Sequence, residues 1–175
     1  PTVKLNGINF YSIENLNTQE RAFQAGQLHK TDQVPLDKVP YYRRAHPELL
    51  RIDPYEGVYF YRMNIARKPL DNPNVRLALN LAVDRDAIVK NILREDQQPA
   101  TGYTPPGMGE YQPLNKLTYD PARARQLLAE AGYPNGKGFP KFTIHFNTLE
   151  SHRAIAEAIQ QMWKEELNID VRLEN

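Results

Sequence analysis

The sequence lacks cysteine, long apolar runs and any strong charge of one sign. Without cysteine, its 175 residues can form no disulfide bond, thiolate metal site or cysteine nucleophile. No apolar run approaches the roughly 20 residues that a membrane-spanning helix needs. The net charge is +1, and Arg43 and Arg44 form an isolated basic pair. Nucleic acid and anionic membranes attract a concentrated basic face, so neither is an expected partner.

Catalytic and cofactor signatures are also missing. There is no glycine-rich phosphate loop between a strand and a helix, and no G-x-S-x-G elbow. None of the four histidines forms a metal-binding pair at helical spacing. His145 and His152 could approach each other, but we interpret them as unrelated, and Asp84 and Asp86 are better explained by helix capping. We therefore expect no enzyme, no catalytic residue and no cofactor or metal.

The residues that are present suit a folded domain, with 41% hydrophobic and 25% charged content. In the first part of the chain, patterning predicts a strand over 3–13 and a helix over 18–28. Thr18 is the expected N-cap of this helix, and Gly26 lies near its end. After a loop and a short helix limited by prolines, a long extended stretch is predicted over 49–65.

Helices dominate the next part of the prediction. Apolar residues over 75–83 keep helical spacing, and Asp84 is expected to cap a second helix that runs to about Arg94. A third helix is expected to start at the cap Asp120 and to end at Gly132.

The end of the chain predicts a strand–helix–strand unit. Alternating residues over 139–148 indicate one strand, an amphipathic pattern over 150–168 indicates a helix, and 169–175 alternates again. Such a unit implies two parallel strands joined by a right-handed crossover.

The segment DPYEGVYFYRMN concentrates four aromatic rings before it changes to charge and amide. Strand alternation would place Tyr55, Tyr59 and Tyr61 on one face and Phe60 and Arg62 on the other. Rings on both faces fit either a strand that is buried on both sides or the border of a binding cleft. An arginine is costly to bury without a partner, but at a cleft it can hold a carboxylate bidentately. Both interpretations stay open at this point.

Several stretches together resemble one family. The first of these stretches, RAFQAGQLHKTDQVP, lies upstream of the aromatic segment. After that segment follow, in this order, VRLALNLAVDRDAIV, TGYTPPG, ARARQLLAEAGYPNG and TIHFNTLESHRAIAEAIQQMWKEELNIDVRLEN. This combination resembles the solute-binding proteins of ABC-type peptide importers, the oligopeptide- and dipeptide-binding group. No single motif is decisive, but the resemblance covers essentially the whole chain.

The resemblance implies an α/β fold, part of a two-lobed periplasmic-binding-protein-like (type II) architecture with a mixed sheet flanked by helices. Family members are much longer, so this chain is expected to be an internal segment. Residues 1–57 would be a remnant of the first lobe with the start of the crossover, and residues 58–175 the first part of the second lobe. The aromatic segment would then pass the ligand cleft.

The resemblance also implies a set of ligand contacts. The substrate-binding residues that it predicts are Tyr55, Phe60, Arg62, Asn147, His152 and Asp32. Some peptide binders of the family carry an acidic residue at the position of Arg62, so this residue is a departure that leaves the charge preference for the ligand open. Asn147 carries both a donor and an acceptor and could bind a peptide backbone.

By this resemblance the protein captures oligopeptides in the periplasm, or otherwise outside the cytoplasm, for import through the permease subunits of an ABC transporter. A lipid anchor on the full-length protein stays open. Bound peptides would lie extended, with main-chain hydrogen bonds supplying affinity. Because an internal segment leaves sheet edges and apolar patches exposed, we also expect this chain to self-associate.

The sequence leaves three alternatives to peptide capture open. The same scaffold could bind a non-peptide solute, namely an oligosaccharide, a nickel complex, haem or an opine. A hydrolase or transferase would need a nucleophile and base that this sequence lacks. A free-standing protein interaction domain would bind tightly with these residues alone.

Overall fold

The structure, a computed structural model, divides into two compact units, Pro1–Arg51 and Ile52–Asn175. It describes residues 2, 4–53, 55–94, 97–105, 108, 110–111 and 117–175.

The first unit contains two short helices, α1 (Leu16–Gln24) and α2 (Val39–Ala45), followed by a 3₁₀ turn. The side chain of Asn15 accepts a hydrogen bond from the Thr18 N–H at 2.9 Å and caps α1. The prediction of Thr18 as N-cap is therefore wrong, because the helix starts earlier and Thr18 already lies in its first turn. Gly26, with φ 72°, follows the helix end as expected.

A buried carboxylate joins these two helices. Glu20 of α1 is the buried charged residue of this unit, and it accepts hydrogen bonds from the Tyr42 hydroxyl at 2.8 Å and from Gln24 Nε2 at 2.6 Å. Tyr42 itself is buried on α2 beside Val39. Both donors meet the same carboxylate oxygen, and their hydrogen bonds compensate the buried charge.

The prediction of a strand over 3–13 is wrong, and the extended stretch predicted over 49–65 does not pair as a strand in the described residues. Residues 4–13 form no strand, and Leu5, Ile8 and Phe10 are exposed. The described residues of 49–65 form no strand either. Positions 3 and 54 lie outside the described residues. The physical reason is that a strand is defined by ladder hydrogen bonds to a neighbour, and the described part of the chain offers these segments none.

The helices of the second unit follow the predicted caps closely. Helix α3 (Pro73–Leu81) is followed by α4 (Arg85–Ala87), which continues as a π-helix over Ile88–Leu93. Asp84 accepts the N–H of Ala87 at 2.9 Å, so its predicted capping role is confirmed. The π-helix ends at Arg94, whose φ is 55°.

Helix α5 (Pro121–Glu130) also starts and ends as predicted. Asp120 accepts the N–H of Arg123 at 2.9 Å, which caps the helix. Gly132 follows the helix with φ 94°, a conformation that glycine adopts without strain. The 3₁₀ turn Pro134–Gly136 comes directly afterwards.

The final strand–helix–strand unit is confirmed as a parallel pair. Strand β1 (Phe142–His145) and strand β2 (Val171–Glu174) pair in parallel, from Phe142 with Val171 to His145 with Glu174. Helix α6 (Glu150–Leu167) connects them. Both strands are shorter than predicted.

Helices α3, α5 and α6 and the two strands enclose the core of the second unit. Trp163 packs against Phe142, with ring centroids 5.7 Å apart, and its Nε1–H donates to the Leu79 carbonyl at 2.9 Å. The most deeply buried large side chains here are Val75, Leu79, Leu128, Leu167 and Ile169. This core holds the start of α6 beside the end of β1.

Candidate functional site

The aromatic segment keeps the alternation of an extended chain even though it pairs with no strand in the described residues. Tyr59 and Tyr61 pack edge to face with centroids 5.5 Å apart, and the Tyr59 hydroxyl donates to the Tyr61 oxygen at 3.3 Å. Phe60, between them, packs instead against Tyr103 at 5.0 Å. The rings therefore form two separate groups, one built on Tyr59 and one on Phe60.

The group built on Tyr59 continues into the loop after β1. The ring of His152 stacks on Tyr59 with centroids 4.4 Å apart and an interplanar angle of 26°. His152 lies in the first turn of α6, and its Nδ1 forms a hydrogen bond with Asn147 Oδ1. The short connection from β1 to α6 brings Asn147 and His152 together, so the local fold creates the pair.

The electrostatics favour a neutral site. Burial lowers the pKa of His152, so its imidazole is neutral at neutral pH. Burial also raises the pKa of Tyr61. Because a carboxamide oxygen only accepts hydrogen bonds, Nδ1 of His152 carries the proton and Nε2 is left as an acceptor.

We use the name aromatic–amide cluster for Tyr59, Tyr61, Asn147 and His152. It offers ring faces, one imidazole acceptor and the N–H groups of an amide. These groups suit the binding of a polar organic molecule that also has apolar parts.

The structure brings only some of the predicted contact residues together. Asn147 and His152 are hydrogen-bonded to each other, and Phe60 pairs with Tyr103. Tyr55 is 90% exposed, and its ring lies over Gly57.

The two charged residues among the predicted contacts are both exposed. Arg62 is exposed and forms no ion pair within the part of the chain that is described. Asp32 belongs to the other unit, where its side chain is exposed and its backbone N–H donates to Gln19 Oε1 at 3.0 Å.

Sequence reasoning missed Tyr59, Tyr61 and Tyr103 as site residues. The first two were equally compatible with core packing, and Tyr61 does pack against the core as a half-buried residue. Tyr103 is 71% exposed in the loop between the π-helix and α5. A tyrosine in a proline- and glycine-rich loop was the available signal for it.

Histidine and carboxylate positions do not suggest a metal centre in the described residues. No group of three potential metal-binding side chains occurs among them. His145 Nδ1 lies 3.7 Å from a Glu174 carboxylate oxygen, and His152 contacts Tyr59 and Asn147. The interpretation of these two histidines as unrelated fits their separate contacts.

Comparison with known families gives a match over the whole chain. The model described as "Bacterial extracellular solute-binding proteins, family 5 Middle" matches residues 1–175. The chain belongs to this family. This membership of family 5 confirms the resemblance to the oligopeptide- and dipeptide-binding group. In the described residues, none of the helices has both the length and the apolar character to cross a membrane.

Relatives of this family 5 protein are named as peptide-binding proteins. The oligopeptide-binding protein OppA of Bacillus subtilis is 37% identical over 185 residues, which cover 99% of this chain and 33% of OppA. The murein tripeptide binding protein MppA of Escherichia coli superposes with a TM-score of 0.82 at 30% identity, covering 90% of this chain and 32% of MppA.

A third relative was solved in complex with RPPGFSPFR. This is OppA of Haemophilus influenzae, with a TM-score of 0.78 and 34% identity over 93% of this chain and 34% of that chain. The chain thus spans about a third of the length of these relatives. The predicted fold class, an α/β part of a periplasmic-binding-protein-like type II fold, is confirmed.

Proposed function

We propose that this chain is part of the substrate-binding component of an ABC importer, which captures oligopeptides outside the cytoplasm. It would pass them to membrane permease subunits and carry out no reaction itself. Membership of the extracellular solute-binding family and the peptide-binding names of its relatives support the proposal. A lipid anchor would keep such a protein at the membrane surface.

The aromatic–amide cluster is the observation that carries this proposal. A peptide presents N–H donors and carbonyl acceptors at regular intervals, with variable side chains between them. His152 Nε2 can accept from a peptide N–H, and the amide N–H groups of Asn147 can donate to a peptide carbonyl. The rings of Tyr59 and Phe60 can pack against side chains of many shapes.

The remaining predicted residues have roles within the same proposal. Tyr55 would contribute a second ring face to the ligand. Arg62 would pair with a ligand carboxylate, because an exposed guanidinium can bind both oxygens. Asp32 would contact the ligand from the first lobe. The lobe assignment, with 1–57 before and 58–175 after the crossover, stays a prediction.

The cargo can be identified directly. The full-length protein should be purified gently from its own cells and studied by native mass spectrometry. We expect a ladder of bound masses that fragment into amino acids. A single bound mass that is a saccharide, a metal complex or another non-peptide would overturn the peptide assignment and keep the family.

The site itself is tested by replacing one histidine at a time in the full-length protein. We expect His152→Ala to weaken peptide binding about tenfold, which corresponds to about 1.4 kcal/mol. His145→Ala is the matched control, because this exposed histidine contacts Glu174 and not the cluster. Isothermal titration with a tripeptide and with longer peptides measures both variants. Equal affinities for the two variants would remove His152 from the site.

A further inference from the structure

The sequence contains two Asn–Gly dipeptides, Asn6–Gly7 and Asn135–Gly136. In such a pair the glycine backbone nitrogen can attack the asparagine side-chain carbonyl carbon. The ring that forms is a succinimide, and the side-chain nitrogen leaves as ammonia. Water then opens the ring at one of its two carbonyls and yields aspartate or isoaspartate. The absence of a glycine Cβ makes this approach unusually easy.

The first dipeptide is free to reach the geometry of attack. Asn6 and Gly7 are exposed and lie in no helix or strand. A Cβ built on Gly7 would meet no atom within 4 Å. Among the described residues, no backbone group accepts a hydrogen bond from the Gly7 N–H. Within the described residues, no helix, strand or backbone hydrogen bond of the Gly7 N–H resists rotation of the backbone here.

The second dipeptide is held in a different geometry. Asn135 has φ 52° and ψ 36°, and the N–H of Gly136 donates to the Tyr133 carbonyl at 3.0 Å. The Asn135 carbonyl accepts a hydrogen bond from Asn168 Nδ2 at 3.2 Å. A Cβ on Gly136 would lie 2.5 Å from the Leu167 carbonyl oxygen, so the turn is packed closely against the end of α6. The attacking nitrogen is thus engaged, and the backbone around it is fixed.

We propose that Asn6 is a site of spontaneous deamidation and that the fold protects Asn135. Both sites share the same reactive pair, so the difference comes from how often each reaches the conformation of attack. For Asn135 that conformation requires the turn to open locally, whereas the segment around Asn6 needs no opening. Conversion of Asn6 adds a negative charge two positions from Lys4, and isoaspartate also lengthens the backbone.

The test measures both sites in the same molecule. The purified protein is incubated in mildly alkaline buffer, and peptide mapping by mass spectrometry follows the change from amide to acid at each asparagine. In the folded protein we expect Asn6 to convert roughly tenfold faster than Asn135, or more. In concentrated denaturant the two rates should become similar. Similar rates in the folded protein, or a ratio that persists in denaturant, would overturn the proposal.

A variant tests the source of the protection. Asn168→Gly removes the side-chain donor to the Asn135 carbonyl, and glycine tolerates the left-handed backbone at this position, where φ is 54°. We expect faster conversion of Asn135 and an unchanged rate at Asn6, which serves as the internal control. An unchanged rate at Asn135 would exclude this hydrogen bond as a source of protection. The comparison of folded and denatured protein remains valid if the variant folds poorly.

Discussion

At Trp163, one side chain fills the core and also satisfies a helix end. Leu79 lies in the last turn of α3, where carbonyls have no partner within the helix, and the indole N–H donates to its oxygen at 2.9 Å. We predict that Trp163→Phe lowers the free energy of unfolding by about 1–3 kcal/mol, because the buried carbonyl loses its donor.

Urea unfolding followed by circular dichroism measures this loss. Tyr111→Phe is the control for loss of a side-chain polar group from a ring at an exposed position. An equal, small effect of both substitutions would mean that the indole hydrogen bond contributes nothing to stability.

The pKa of His152 gives a second prediction at this scale. Because burial lowers this pKa, the folded protein favours the neutral ring. Its contribution to stability is complete above the unfolded pKa of about 6.5 and is lost as the pH falls through the lower folded value. We predict that Tyr59→Ala, which uncovers the ring, raises the pKa of His152 in an NMR titration. A pKa that stays unchanged would show that the stacked tyrosine does not shield the ring from water.

Only part of the candidate site could be predicted from the sequence. Asn147 and His152 were predicted from the resemblance, and their proximity follows from a short connection between neighbouring elements. The stack of His152 on Tyr59 joins positions far apart in the chain. No local pattern encodes such a contact, so it required the folded structure.

Among the elements, the turn after α5 depends on a glycine for two reasons. Gly136 has φ 71°, and a Cβ there would lie 2.5 Å from the Leu167 carbonyl oxygen. Gly138 has φ 77° but open space around it. We predict that Gly136→Ala lowers the melting temperature clearly more than Gly138→Ala, with the clash adding about 1–3 kcal/mol of destabilisation.

The pair of alanine variants is its own control, because both place a side chain at positive φ and only one creates a steric conflict. Differential scanning calorimetry compares them with the unchanged protein. Identical melting temperatures for the two variants would mean that the end of α6 moves aside at no cost.

Helices were easier to predict than strands in this chain, and the reason is physical. Asp84 and Asp120 indicate where helices start, because a capping side chain accepts hydrogen bonds from N–H groups only a few residues away. The parallel strands near the end were also predicted, since their partner follows after a single helix. The segments 3–13 and 49–65 have apolar and aromatic residues typical of strands, but pairing depends on a distant partner that sequence pattern does not specify.

For the whole molecule, the exposed apolar residues of the first unit predict self-association of the isolated 175-residue chain. Leu5, Ile8 and Phe10 are exposed in a segment with no helix or strand, and Phe10 is 91% exposed. Such a segment can pair with the same segment of another molecule and remove apolar surface from water. Light scattering over a range of concentrations should show mass that rises with concentration.

A double variant, Ile8→Ser with Phe10→Ser, should reduce this association if the segment causes it. Leu77→Ser, at an exposed position on α3, is the control for a general loss of surface hydrophobicity. A monomer at every concentration for the unchanged chain would refute the prediction.

The position of Trp163 has a spectroscopic consequence. It is the one tryptophan of the chain, and it lies buried in the second unit beside Phe142. Its fluorescence emission should shift to longer wavelength when that core opens to water. The unit Pro1–Arg51 contains no tryptophan, so it could melt without changing the tryptophan signal. An unfolding curve recorded at tryptophan wavelengths therefore reports on the unit Ile52–Asn175, and far-ultraviolet dichroism is needed to detect the melting of Pro1–Arg51.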